Sequence, residues 1–113
     1  MNAIRQMSVF ELKDRMDNKD DFILLDVRES NEVNICALNG AIHMPMMTIP
    51  NSLSELDMDK EIVVMCHTGM RSFQVCQYLE ENGYSAVNLQ GGIDQWSRAV
   101  SYTHLTLPTT PYV

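Results

Sequence analysis

Short apolar segments alternate with amphipathic ones along most of the chain. Segments 22–27 and 62–66 are apolar without regular alternation, which is typical of parallel strands covered on both faces. We predict that both are strands and that 22–27 is a central one. Segments 40–44, which Pro45 ends, and 84–89 have the weaker pattern of two further short strands.

Helical patterns lie between these strands. Ser8 and Glu11 have the capping-box spacing, which predicts a first helix running to about Lys19. After segment 62–66, residues at i, i+3, i+4 and i+7 spacing predict a helix with one face formed by Ser72, Val75, Cys76 and Leu79. Shorter helices are predicted at three places: within 28–35, near 52–56, and at 93–98, where Trp96 can be buried. Strands alternating with helices predict an α/β fold with an open parallel sheet.

The size and charge of the chain narrow its possible partners. A length of 113 residues fits a single domain, and eight basic against fifteen acidic side chains give a net charge of −7. Such a charge repels phosphate backbones and anionic lipid, so we expect no nucleic acid and no membrane partner. Because no apolar run approaches the length of a membrane span, we expect a soluble, cytoplasmic protein.

One of the three cysteines has the setting of a reactive thiol. Cys66 ends a predicted strand and precedes a glycine-containing loop and a helix, the place where open α/β sheets bind ligands. Loop amides and a helix N-terminus there lower a thiol pKa and hold an anion attached to its sulfur. Gly69 gives the loop conformational freedom, and Arg71 either braces the loop or meets an anionic substrate. The alternative is that Cys66 is an ordinary core cysteine.

The other cysteines do not suggest a second kind of site. Cys36, Cys66 and Cys76 are an odd number without a close C-x-x-C pair, so neither a disulfide framework nor a zinc site is predicted. Cys76 falls on the apolar face of its helix and is expected in the core, whereas Cys36 lies in a polar stretch. His43 is expected to be a satisfied core or edge residue instead of a metal ligand, and no metal is predicted.

Four motifs together resemble the rhodanese family of sulfurtransferases. Residues 66–72, C-H-T-G-M-R-S, resemble the family's C-x-x-G-x-R-S active-site loop. Residues 25–29 resemble its D-V-R-E motif, residues 40–45 its G-A-x-x-x-P segment, and residues 89–96 its closing G-G-x-x-x-W motif. The resemblance spans about residues 4–99 and implies a rhodanese-like open parallel five-stranded sheet with helices on both faces.

The resemblance also implies a function in sulfur metabolism. Cys66 would carry a sulfane sulfur as a persulfide, taken from thiosulfate or a persulfide donor and passed to a thiophilic acceptor. Cyanide, a thiol or a sulfur-relay protein are the expected acceptors, and no cofactor is needed. Cys66 and Arg71 are the expected catalytic residues. The expected donor-binding residues are His67, Thr68, Gly69, Met70, Ser72 and Arg28.

Several alternatives stay open at the level of sequence. Cysteine phosphatases and the related arsenate reductases use C-x5-R, whereas Cys66 and Arg71 are spaced as C-x4-R, which fits a single added sulfur better. A noncatalytic binding module on the same fold and a redox switch that joins Cys66 to Cys36 are further possibilities. Arg28 could instead form a structural ion pair, and His67 could face solvent. Where family members often have Gly-His, this chain has Cys36-Ala37.

The composition changes at the C-terminal end. Residues 100–113 contain no Asp, Glu, Lys or Arg and are rich in Thr and Pro. Residues 100–109 are the translation of GTC TCT TAT ACA CAT CTG ACG CTG CCG ACG, a transposase adapter used in short-read library preparation. We therefore expect a domain at 1–99, truncated at its C-terminus, followed by an adapter-derived tail at 100–113. The alternative is an ordinary disordered tail.

Overall fold

Strands and helices alternate along the chain much as the hydrophobic pattern predicts. The computed structural model describes residues 3–100 and 103–107. The strands are β1 (Arg5–Met7), β2 (Ile23–Asp26), β3 (Ala37–Leu38), β4 (Ile42–His43), β5 (Glu61–Met65), β6 (Ser85–Leu89) and β7 (Leu105–Thr106). The α-helices are α1 (Val9–Asp17), α2 (Ser30–Val33), α3 (Ile49–Ser52), α4 (Met70–Glu81) and α5 (Gly92–Ala99).

Five of the strands form one parallel sheet, in the order β1-β6-β5-β2-β4. The predicted α/β class and the five-stranded open parallel sheet are therefore confirmed. Strand β2 is a central strand, as predicted, because it pairs with β5 on one side and β4 on the other, and β5 takes the middle position of the sheet. Strand β1 was not predicted. It has only three residues, and two of them, Arg5 and Gln6, are exposed at the sheet edge.

The two faces of the sheet are covered by different helices. Successive side chains of β5 point to opposite faces, so Ile62 and Val64 enter one core while Val63 and Met65 enter the other. Helices α3 and α4 cover the first core, and α1 and α5 cover the second. Because Cys66 continues the alternation, its side chain falls on the α4 side of the sheet.

The helix boundaries differ from the predictions in two places. Helix α1 begins as predicted, with the Ser8 hydroxyl accepting a hydrogen bond from the Glu11 amide, but it ends at Asp17 because Lys19 has a left-handed φ of 57°. The helix expected near 52–56 is wrong in position. Helix α3 ends at Ser52 and a 3-10 turn follows it, since Pro50 in its first turn favours an earlier start.

Helices α4 and α5 have the buried faces that their spacing predicts. The buried residues of α4 are those of the predicted face: Ser72, Val75, Cys76 and Leu79. In α5 the side chain of Trp96 is fully buried, as expected. These two helices fix the loop that precedes α4 and the turn that precedes α5, both at the carboxyl edge of the sheet.

Part of the expected adapter-derived tail packs against the domain. Strand β7 pairs antiparallel with β3, and the Trp96 Nε1–H donates to the Thr103 carbonyl at 2.8 Å. Residues 101–102 and 108–113 of that tail lie outside the described residues. Within 3–100 and 103–107, no helix is both long enough and apolar enough to cross a membrane.

Candidate active site

The loop between β5 and α4 places Cys66 at the carboxyl edge of the sheet. Cys66 follows the last residue of β5 directly, and only 1% of it is exposed. Gly69 ends the loop with a φ of +105°, and a Cβ there would lie 3.3 Å from the Gly91 amide nitrogen. A left-handed backbone in so tight a space favours glycine, so Gly69 is needed for the loop to turn into α4.

Three hydrogen-bond donors surround the sulfur of Cys66. The Gly69 amide lies 3.1 Å from Sγ, the Ser72 amide 3.4 Å and the Ser72 hydroxyl 3.3 Å. Burial raises the pKa of the Cys66 thiol, but hydrogen bonds from Ser72, Gly69 and Thr68 outweigh it, and the pKa lies below its ordinary value. The geometry therefore stabilises a thiolate at Cys66, as the sequence predicts for such a loop.

The buried side-chain amide of Asn88 on β6 also contacts this loop. The Ser72 hydroxyl also donates to Asn88 Oδ1, and Asn88 Nδ2 donates to the Gly69 carbonyl and to Gln6 Oε1, both at 3.1 Å. Since a hydroxyl has one proton, Asn88 and the Cys66 sulfur share the same donor. Asn88 was not identified from the sequence, although a lone amide within an apolar strand was a usable signal.

The first turn of α5 forms hydrogen bonds with the carbonyls of the loop between β5 and α4. The Ile93 amide donates to the Cys66 carbonyl and the Asp94 amide to the His67 carbonyl, each at 3.0 Å. Gly92 has a φ of +60°, and a Cβ there would lie 2.4 Å from the Cys66 carbonyl oxygen. The lack of a side chain at Gly92 therefore lets the backbone of α5 approach the loop and donate to its carbonyls.

Arg71 braces the loop instead of pointing into open space. Its guanidinium donates to both carboxylate oxygens of Glu32 on α2, at 2.6 and 2.8 Å. The hydrogen bond with Arg71 is the main reason that the pKa of Glu32 falls to about 2, and the same bond raises the pKa of Arg71. Of the two roles that the sequence left open for Arg71, this geometry supports the brace. Glu32 was not identified from the sequence.

The contacts of Arg28 support the structural ion pair that the sequence left open beside a donor-binding role. Its guanidinium is buried and pairs with Asp26, with the shortest N–O distance at 2.7 Å. The remaining donors reach the carbonyls of Glu32 and Cys36. This is the structural ion pair that was the alternative interpretation, and it ties the end of β2 to α2 and the segment after it. The Arg28 carbonyl accepts from His43 Nε2 at 2.8 Å, which satisfies that edge histidine.

The other loop residues expected to bind a donor lie on the outer surface. The His67 side chain is 58% exposed, and its Nε2 lies 3.9 Å from Asp94 Oδ1. Thr68 and Met70 are also exposed. Open cavities flank the loop: Thr68, Gly69 and Met70 help to line one of about 430 Å³, and His67 helps to line another of about 270 Å³.

The remaining thiols differ from Cys66. Cys76 is buried in the core, as expected, and burial raises its pKa to about 12, so it stays protonated. Cys36 is partly buried in the segment after α2. Among residues 3–100 and 103–107, no group of three or more His, Cys, Asp or Glu side chains could hold a metal ion.

Comparisons with known proteins identify the family to which the chain is similar. The model of the rhodanese-like domain matches residues 8–99. YtwF of Bacillus subtilis (strain 168) is 41% identical over 93 residues, which are 82% of this chain and 90% of that protein. The thiosulfate sulfurtransferase GlpE of Shewanella oneidensis is 31% identical over 100 residues, which are 88% of this chain and 98% of that protein.

Solved structures give the same result for the fold. A crystal structure of a rhodanese-like domain protein from Staphylococcus aureus superposes with a TM-score of 0.79 at 32% identity. The superposition covers 82% of this chain and 91% of that one. With a family model matching most of the sequence and relatives above 30% identity over nearly their whole length, this chain belongs to the rhodanese-like domain family.

Proposed function

We propose that the chain is a sulfurtransferase that carries sulfane sulfur as a persulfide on Cys66. Thiosulfate or a persulfide is the donor, and a thiophilic molecule is the acceptor. The observation that carries the proposal is the set of three donors, two amides and one hydroxyl, within 3.4 Å of the Cys66 sulfur. A buried sulfur so surrounded is suited to bear negative charge before and after it takes up a second sulfur.

The first half-reaction is a displacement at sulfur. The Cys66 thiolate attacks the outer sulfur of thiosulfate, a new S–S bond forms, and the original S–S bond breaks with its electron pair leaving on sulfite. The charge is conserved, since a thiolate and a dianion give a persulfide anion and a dianion. The backbone amides of the loop stabilise the persulfide anion as they stabilise the thiolate.

The second half-reaction restores the thiolate. A nucleophilic acceptor such as cyanide attacks the outer sulfur of the persulfide and leaves as thiocyanate, while the electron pair of the broken bond returns to Cys66. We assign Arg71 a positioning role, because its guanidinium ties the start of α4 to Glu32. A thiol or a sulfur-relay protein as the cellular acceptor, and a cytoplasmic setting, are part of the proposal.

Thiocyanate formation from a donor and cyanide tests this function. We expect turnover by the full chain with parallel double-reciprocal plots, which indicate two separate half-reactions. Cys66→Ser should abolish turnover, and Cys36→Ser, the matched control, should retain it. Turnover that survives Cys66→Ser would contradict the proposal, as would a folded protein that forms no thiocyanate with either thiosulfate or a hydropersulfide.

A further inference from the structure

The side-chain amide of Asn88 is held in one orientation by its neighbours. Asn88 lies on the same face of β6 as Ala86, toward α4, and only 3% of it is exposed. Its Nδ2 donates to the Gly69 carbonyl and to Gln6 Oε1, each at 3.1 Å, so both of its hydrogens have acceptors. Turning the amide over would place Oδ1 against the Gly69 carbonyl oxygen, two acceptors with no hydrogen between them. The oxygen Oδ1 therefore faces Ser72.

This orientation fixes the direction of the Ser72 hydroxyl. Because Oδ1 can only accept, the contact between Asn88 and Ser72 needs the hydroxyl proton of Ser72. The same hydroxyl oxygen lies 3.3 Å from the Cys66 sulfur. Ser72 is fully buried, so bulk water replaces neither contact. One proton thus serves two acceptors, and it can satisfy one of them at a time.

The charge on the sulfur decides which acceptor receives this proton. A thiolate accepts more strongly than an amide oxygen, so the hydroxyl turns toward Cys66 and leaves the buried Oδ1 without its donor. A neutral thiol lets the hydroxyl donate to Asn88. In a persulfide the negative charge lies on the outer sulfur, and the 3.3 Å between Ser72 Oγ and Sγ leaves no room for that atom between them. The inner sulfur is then a weak acceptor, and the hydroxyl turns back to Asn88.

Resting on the proposed function, we infer that Asn88 is a positioning residue for sulfur transfer, because it takes back the Ser72 hydrogen bond each time Cys66 receives a sulfur. Asn88 stabilises the thiol and the persulfide relative to the thiolate, since its Oδ1 has a donor in both of those forms. It therefore favours the uptake of sulfur by Cys66. It acts through Ser72, which contacts the reacting sulfur.

The exchange needs no proton transfer, since the O–H group of Ser72 changes its direction and keeps its proton. In the half-reaction with a hydropersulfide, the Cys66 thiolate attacks the outer sulfur of R–S–S–H and a new S–S bond forms. The original S–S bond breaks with its electron pair on R–S, and the proton of the outer sulfur passes to that leaving thiolate. The products are Cys66–S–S⁻ and R–S–H, so the negative charge has moved from Sγ to the outer sulfur.

The other charged and titratable groups around Cys66 lie outside this exchange. Arg71 of α4 holds Glu32 of α2, and His67 of the loop lies beside Asp94 of α5. Cys76, on the buried face of α4, stays protonated. Among the described residues, none of these side chains forms a hydrogen bond with the exchanging amide or hydroxyl. Variants that leave all five in place therefore report on the exchange itself.

The test is a double-mutant cycle with two readouts. Asn88→Leu removes the acceptor at a similar volume, and it is made both in the full chain and in Ser72→Ala. One readout is the pH profile of alkylation by iodoacetamide, with Cys36→Ser in every protein. The other is the ratio of persulfide to thiolate at Cys66, taken from the intact mass. It is measured after equilibration with the hydropersulfide of 2-mercaptoethanol and excess 2-mercaptoethanol, at a pH where alkylation has reached its plateau. Gln6→Ala removes the other side-chain partner of the amide and is the matched control.

In the full chain, Asn88→Leu should shift the alkylation profile to lower pH, with rates about fivefold higher on its rising part. It should also lower the ratio of persulfide to thiolate about fivefold, because the persulfide loses the partner of its hydroxyl. Both effects should disappear in Ser72→Ala, where no hydroxyl is left to exchange. Gln6→Ala should change either value less than about twofold.

Two results would overturn the inference while sulfur uptake stays intact. Equal effects of Asn88→Leu with and without the Ser72 hydroxyl would show that Asn88 acts through the Gly69 carbonyl. A profile shifted to higher pH would show that Asn88 does not compete with the thiolate for the proton. A folded wild-type protein that gains no sulfur would instead overturn the proposed function, and the inference with it.

A measurement on the unaltered chain covers the case in which Asn88→Leu does not fold. In nitrogen-15 NMR spectra, the side-chain amide signals of Asn88 should shift over the pH range in which Cys66 becomes reactive, as Oδ1 loses its donor. Loading Cys66 with sulfur should return these signals toward their positions in the thiol form. Signals that stay fixed through the titration, or that do not return on loading, would overturn the inference.

Discussion

The sulfur of Cys66 accepts a hydrogen bond from a serine hydroxyl that has a single proton to donate. Ser72 Oγ lies 3.3 Å from the sulfur, and it also donates to Asn88 Oδ1. When the thiol is protonated, the Ser72 hydroxyl can donate its proton to the hydrogen bond with Asn88 Oδ1. When the thiolate forms, the sulfur becomes the stronger acceptor and competes for that proton.

Removing the Ser72 hydroxyl should raise the pKa of Cys66. In Ser72→Ala the amides of Gly69 and Ser72 remain, but the thiolate loses its side-chain donor while burial continues to favour the neutral thiol. Because the thiolate is the reactive form, the alkylation rate should rise at higher pH than in wild type and be several-fold lower at neutral pH. We would measure the rate of iodoacetamide alkylation against pH. Wild type and Ser72→Ala would both carry Cys36→Ser, so that alkylation of the partly buried Cys36 does not contribute to the rate.

Ser54→Ala is the matched control, since Ser54 lies exposed in the 3-10 turn after α3. It should leave the alkylation profile of Cys66 unchanged. A Ser72→Ala profile at the same pH as wild type, in a folded protein, would show that the amides alone set the pKa of Cys66.

The sequence predicts Cys66 and the loop residues that donate to its sulfur, but not Glu32, which holds Arg71. Cys66 could be found because the end of an apolar strand before a glycine loop is a local pattern. Glu32 could not, because it is 39 residues from Arg71 and meets it only once α2 and α4 are packed at the same sheet edge. For Arg28 the sequence offered both donor binding and a structural ion pair, and its buried contact with Asp26, two residues away, supports the ion pair.

At the level of elements, the loop is positioned by the start of α5 as much as by β5 and α4. The amides of Ile93 and Asp94 hold the carbonyls of Cys66 and His67, which keeps the loop amides turned toward the sulfur. This contact needs a close backbone approach at Gly92, where a Cβ would lie 2.4 and 2.5 Å from those two carbonyl oxygens.

Two glycine variants distinguish the energetic cost of left-handed backbone strain from the cost of losing this close approach. Gly40 and Gly92 both have positive φ, but a Cβ at Gly40 meets nothing within 4 Å. Gly40→Ala should therefore cost only the left-handed strain, about 1 kcal/mol of unfolding free energy. Gly92→Ala should cost about 3 kcal/mol or more, since the new methyl displaces α5 from the loop.

Urea unfolding of the two variants measures the difference, and thiocyanate formation shows its consequence. Gly92→Ala should lose activity together with stability, whereas Gly40→Ala should keep its activity. Equal stability losses in the two proteins would contradict the role given to α5.

The elements that the sequence predicts are those with a strong period or a continuous apolar run. Strand β5 is buried on both faces, and α4 presents an i, i+3, i+4, i+7 face, so both could be located from spacing alone. Strand β1 and helix α3 are three and four residues long, too short for a period to show. Pairing in the sheet and packing against neighbours decide such short elements.

At the scale of the whole molecule, the match to the family model ends at Ala99, the residue after which the composition changes. We propose that residues 100–113 come from a library adapter, although 103–107 lie against β3 and Trp96. The buried residues of the two cores all precede position 100, Trp96 among them, and Val100 and Leu105 pack against one of these cores.

A variant that ends at Ala99 should keep the fold. It loses the pairing of β7 with β3, the hydrogen bond from Trp96 to Thr103 and the packing of Val100 and Leu105, which together should cost about 3 kcal/mol of unfolding free energy. Circular dichroism during thermal unfolding should still show one cooperative transition, and Cys66 should keep its alkylation profile. Loss of the transition would mean that the tail is an integral part of the domain. Resequencing the gene by a method without a transposase should not return the same codons.

The most direct test of the account is the intact mass of the protein before and after it meets a donor. Three proteins are compared: the full chain, Cys66→Ser and Cys36→Ser. Each is incubated with thiosulfate or the 2-mercaptoethanol hydropersulfide and separated from the donor. Its intact mass is then measured, and measured again after cyanide is added. We predict a gain of one sulfur atom in the full chain and in Cys36→Ser, its removal by cyanide, and no gain in Cys66→Ser. A folded protein that gains no sulfur from either donor, or that instead loses two hydrogens by joining Cys36 to Cys66, would contradict the persulfide mechanism.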